Sequence, residues 1–115
     1  MGISMAKYSS ISVEQAEALK EKIRKQIFFL LIIVDSKTKD QYKHVDVEAA
    51  FANMLLELNG VNEIFMKPVE IALSMALLEA ALNEYKKEPF DFYTYRKLIL
   101  DAGAKIKEVV VDANT

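Results

Sequence analysis

The chain has 115 residues, a net charge of -2, 52% apolar residues, three Gly, two Pro and no Cys. That length supports one domain with its own core, and the apolar content excludes a disordered body. Without Cys there is no disulfide, thiol nucleophile or Cys-rich zinc site, and Lys and Arg scattered along the chain give no global basic field for phosphate.

Residues 1–11 read as a flexible N-terminal segment. "MGISMAKYSS" lacks the apolar stretch of a secretory signal, and Ala6 stands where a myristoylation pattern requires Ser or Thr. A helix is predicted from Ser12, where "SVEQ" has the form of a capping box behind Ile11. Ala16, Leu19, Ile23, Ile27, Leu30 and Val34 then step by three or four as one apolar stripe.

This register runs into eight consecutive apolar residues, Ile27 to Val34. The run is far short of the ~20 residues that cross a bilayer, so no membrane span is expected. As a helix it leaves no face for water: Phe28 with Ile32, and Phe29 with Ile33, lie off the main stripe. As a buried strand its only partner would be "KIKEVVV", Lys105 to Val111, and that segment is left open between helix and strand.

"DSKTKDQYKH", Asp35 to His44, reads as a polar link. Asp46 is the expected N-cap of a second helix, with Val47, Ala50, Phe51, Met54, Leu55 and Leu58 at amphipathic spacing. Gly60 is the expected terminator, with Val61 behind it. Pro68 announces a third helix running to about Lys87, before Pro89. "IALSMALL" gives this helix two uncharged turns. A fourth helix is predicted after Asp91, with Phe92, Tyr95, Leu98, Ile99, Ala102, Ile106 and Val109 in period. Gly103 should either admit a close neighbour or break that element.

Short links between long amphipathic segments imply antiparallel neighbours. The expected fold is all-α, an antiparallel four-helix bundle-like single domain over residues 12–112, with a frayed tail at 113–115.

The search for chemistry returns little. His44, the only histidine, alternates with Asp46 and Glu48; on the predicted helix these are a cap and a first-turn acid, so no metal site is expected. There is no Glu-x-x-His pair for a di-metal bundle, no G-x-S-x-G and no glycine-rich phosphate loop. No catalytic residue or cofactor is assigned, and the chain reads as a non-enzyme. Glu14, Glu17, Glu21, Glu79 and Glu84 read as solvated surface.

"PFDFYTYRK" crowds Phe90, Phe92, Tyr93 and Tyr95 ahead of Arg96 and Lys97. Such a segment serves as a hydrophobic staple with core packing, as interface anchors or as a base-stacking platform. With two helices apolar on every side, the expected function is a cytoplasmic protein–protein interaction module of adaptor, regulator or immunity type. It would self-associate as a homodimer, with a second protein as a further partner and no nucleic acid. The surface candidates are Phe28, Phe29, Ile32, Ile33, Tyr93, Tyr95 and Arg96. The rival readings are a bundle that binds a small apolar ligand near Phe28, Phe29 and Met75, and a weak single-stranded nucleic-acid binder using Tyr93, Tyr95, Arg96 and Lys97.

Overall fold

The computed structural model describes residues 11–111. Both the expected tail at 113–115 and residues 1–10 of the expected N-terminal segment lie outside them. Ile11 packs against the core. Four α-helices follow in chain order: α1, Val13–Ile32; α2, Val47–Ile64; α3, Val69–Tyr85; α4, Phe92–Glu108. A 3-10 turn, Lys39–Tyr42, lies in the α1–α2 link. No strand occurs among the described residues: Lys105 to Glu108 is helical and the chain is only extended beyond it.

The helix starts follow the polar residues that precede them. The Ser12 hydroxyl accepts from the Gln15 N–H at 3.0 Å, and the Gln15 side chain accepts from the Ser12 N–H at 2.8 Å, a complete capping box. Asp46 accepts from the Ala49 N–H, and Asp91 from the Tyr93 N–H. Pro68 precedes α3 as its N-cap rather than lying in the first turn.

Gly60 does not end α2, contrary to expectation. Met54, Leu58, Val61 and Phe65 are all buried, so the apolar period continues past Gly60, and that burial outweighs the roughly 1 kcal/mol that a mid-helix Gly costs. Termination falls instead on Met66 and Lys67, with φ of 63° and 58°. The Lys67 N–H donates to the Asn62 carbonyl and the Met66 N–H to the Glu63 carbonyl. This is a Schellman motif built without glycine. Gly103 neither breaks α4 nor admits a close neighbour, since nothing lies within 4 Å of where its Cβ would be.

Around the bundle the contacts run α1–α2, α2–α3, α3–α4 and α4–α1. The α1–α4 pair is tied at both ends. Tyr95, near the start of α4, donates its hydroxyl to the Leu30 carbonyl near the end of α1. That carbonyl is available because the Val34 N–H donates to Leu31 instead. At the opposite end, the Lys20 ammonium of α1 donates to the Lys107 and Val109 carbonyls that close α4, where a cation also meets the negative pole of the helix. Leu30 pairing with Tyr95 and Lys20 with Val109 fixes the two helices as antiparallel. Between α3 and α4, the buried Ser74 hydroxyl donates to the Ala102 carbonyl at 2.9 Å. The core between these helices is Ile23, Ile27, Leu30, Phe51, Leu58, Ile71, Leu78, Tyr95, Ile99 and Ile106.

Two outcomes are expected in chemical denaturation. Tyr95→Phe should lose about 1–3 kcal/mol, because the Leu30 carbonyl is left buried without a partner; an unchanged midpoint would contradict the capping role. Met66→Gly should gain about 1 kcal/mol by relieving left-handed backbone at a residue with a Cβ, and a loss of stability would contradict that reading of the α2 terminus.

Candidate interaction surface

The α1 register decides which side chains reach solvent. Ile23, Ile27 and Leu30 face inward, and at 100° per residue Phe28 and Ile32 must then point outward. Phe28 is 48% exposed, Phe29 lies at the exposed margin and Ile32 is half-buried. Two grooves flank this ridge. One, about 640 Å³, lies between α1 and α4 and is lined by Phe28, Ile32, Leu100, Gly103 and Ala104, with the charged residues Glu21, Arg24, Lys25 and Lys107. The other, about 670 Å³, lies between α1 and α2 over Phe29, Leu30, Ala50 and Met54. Lys22 and Gln26 both reach Glu57 across it, at 3.7 and 3.2 Å. The Phe29 ring meets Tyr42 of the 3-10 turn edge-on, with centroids 5.2 Å apart.

Two of the seven expected surface residues belong to the core. Ile33 is buried at the α1 C-cap: the helix ends at Ile32, and the chain turns there to carry Ile33 and Val34 back onto the core. Tyr95 is 0% exposed and its ring lies between 6.0 and 6.4 Å from those of Phe51, Tyr85, Phe90 and Phe92. Phe90 precedes the Asp91 cap and Tyr95 sits four residues into the helix, so this pair forms the hydrophobic staple of α4. Burial, with Tyr85 nearby, pushes the Tyr95 hydroxyl well above its ordinary pKa, which keeps it a proton donor to Leu30.

Tyr93 and Arg96 do face solvent, Tyr93 at 81% exposure. With Leu100, Gly103 and Lys107 they step by three or four along the flank of α4 that borders the α1 groove. The two sequence candidates, the α1 ridge and the α4 aromatic segment, thus meet on one side of the bundle.

One feature escaped the sequence reading. The α1 and α4 segments carry eight Lys or Arg and five Asp or Glu, whereas α2 and α3 carry six Glu and neither Lys nor Arg. In the linear sequence these charges look evenly scattered. The topology that packs α1 against α4 makes that side of the molecule basic and the α2–α3 side acidic. Counting charge helix by helix would have exposed the pattern.

The remaining chemistry-bearing residues are dispersed. His44 is exposed in the link, Asp46 caps α2, and Glu48 lies 3.9 Å from Lys86. Among the described residues no group of three or more His, Cys, Asp or Glu is placed to hold a metal ion. Among the described residues no helix is long and apolar enough to cross a membrane.

Glu84, expected at the surface, is buried at the α3–α4 corner. It accepts the Asp91 N–H at 2.8 Å and pairs with Lys87 at 3.0 Å. These bonds hold its carboxyl below the usual 4.5. A lowered folded-state pKa stabilises the fold above the ordinary value, and that contribution fades as pH falls through the lowered one. Glu84→Gln should therefore melt below wild type near neutral pH, with the gap closing under acid; a gap independent of pH would contradict a charged Glu84 in the fold. Comparison of the chain with protein-family models, with curated proteins and with solved structures finds no match.

Proposed function

We propose that this protein is a non-enzymatic interaction module that self-associates through the basic α1–α4 side. One observation carries the reading: Phe28 stands nearly half exposed beside a groove lined by apolar side chains, whose charged residues, Arg24, Lys25, Lys107 and Glu21, are net cationic. Aromatic anchors inside a charged rim are the anatomy of protein interfaces. Covering a Phe contributes roughly 1.5–3 kcal/mol relative to leaving it in water, and Ile32 and Leu100 add apolar area beside it. Tyr93 and Arg96 extend the same flank with residue types enriched at interface centres. The cysteine-free composition suits a reducing, cytoplasmic compartment.

The rival readings find less in the geometry. Phe28 and Phe29 border open grooves on the outside of the bundle, not an enclosed chamber between its helices. The stacking platform imagined for nucleic acid is missing a ring, because Tyr95 is enclosed.

Sedimentation equilibrium tests the proposal. At tens of micromolar, wild type should exceed the monomer mass. Phe28→Gln, whose helical circular dichroism should be unchanged, should weaken association by about tenfold or more, tenfold being ~1.4 kcal/mol. A wild-type monomer at all concentrations would refute the proposal, as would a Phe28→Gln protein that associates like wild type.

A further inference from the structure

The outer face of α3 is a second apolar surface, left open among the described residues. Ile71, Ser74, Leu78 and Ala81 are buried, so Val69, Leu73, Ala76 and Ala80 lie on the opposite side of the helix. All four are exposed, Val69 at 63% and Leu73 at 43%. Glu70 and Glu79 flank this row on either side, and α3 carries no Lys or Arg. The groove between α1 and α4 has the converse balance: Phe28, Ile32 and Leu100 within, and three cations, Arg24, Lys25 and Lys107, against one carboxylate, Glu21, around. Arg24 is paired with Glu21 at 2.9 Å, while Lys25 and Lys107 form no ion pair among the described residues. One surface is an apolar helix edged by the carboxylates of Glu70 and Glu79; the other is an apolar groove edged by the ammonium groups of Lys25 and Lys107 and by the Arg24–Glu21 ion pair.

Resting on the self-association proposed above, we infer that the occupant of the α1–α4 groove is the α3 outer face of a second copy, so that copies join head to tail. A helix laid in a groove with opposite charges at its margins gains both apolar burial and electrostatic steering. A two-fold pairing of the α1–α4 sides would instead bring two cationic rims together, which costs free energy. The α3 face cannot serve its own groove. In the ring of helices α3 stands diagonal to α1, and its outer face turns away from Phe28. For the same reason two copies cannot exchange both contacts at once. Each copy added leaves one groove and one α3 face open, which is the geometry of a heterologous interface, giving rings or open chains rather than a closed dimer.

The test uses two exposed positions, one on each surface: Leu73→Arg on α3 and Leu100→Arg at the groove. Both should keep wild-type helicity, since neither side chain is in the core. Wild-type mass by light scattering should rise beyond the dimer with concentration and fall as salt screens the charges. Each variant alone should be monomeric. Mixed in equal amounts, they should form a discrete 1:1 heterodimer, because the intact groove of Leu73→Arg accepts the intact α3 face of Leu100→Arg. A wild type that stops at dimer, with Leu73→Arg still dimeric, would overturn the head-to-tail arrangement while leaving self-association standing. A mixture that stays monomeric would also overturn it. A monomeric wild type would remove both readings.

Discussion

The antiparallel lock between α1 and α4 governs the rest of the molecule. Helices end with carbonyls that have no intrahelical partner, and each of these helices has its last carbonyls met by a side chain from near the start of the other. Tyr95 serves Leu30, and Lys20 serves Lys107 and Val109. The two contacts sit at opposite ends of the pair, so they fix its register as well as its direction. Neither helix can slide or rotate without leaving a buried polar group unpaired, which is more costly than the net gain of a typical hydrogen bond.

That register has a consequence on the outside. With Ile23, Ile27 and Leu30 held inward, the remaining residues of an eight-residue apolar run have to go elsewhere. The chain hides Leu31, Ile33 and Val34 by ending the helix and turning. It covers one end of Phe29 with Tyr42. Phe28 and part of Ile32 stay in contact with water. On α3 the same excess appears as Val69 and Leu73. Two exposed apolar surfaces of opposite charge balance thus lie on different sides of one small bundle, a pattern that supports the proposed self-association.

Much of this was legible in the sequence because helix starts are local. Ser12 and Asp46 were readable as caps and Asp91 as a helix boundary, three amphipathic periods followed, and Pro68 and Pro89 bracketed the remaining helix. What failed was tertiary in origin. Gly60 looked like a terminator, but the continuing demand of Val61 and Phe65 for burial carried α2 past it, to a left-handed turn at Met66 that no glycine marks. Tyr95 looked like a surface anchor among other aromatics. The apolar period of α4 also included it, and its burial follows that period; what periodicity alone cannot supply is the partner of its hydroxyl, 65 residues earlier in the chain. Ile33 looked outward because the helix was extended to Val34. The charge segregation depended on knowing which helices pack together. The outward placement of Phe28, Phe29 and part of Ile32 was legible because surplus hydrophobicity at a fixed period leaves few places to go.

The central claim is that the α1 ridge and the adjoining α4 flank are contact surface for another polypeptide, in the first instance a second copy. Residue-resolved NMR on serial dilution tests it most directly. Signals of Phe28, Ile32 and Leu100 should move with concentration while those of Ile23, Ile33 and Tyr95 hold still. A spectrum unchanged from millimolar to low micromolar protein, or changes confined to residues remote from that ridge, would contradict it.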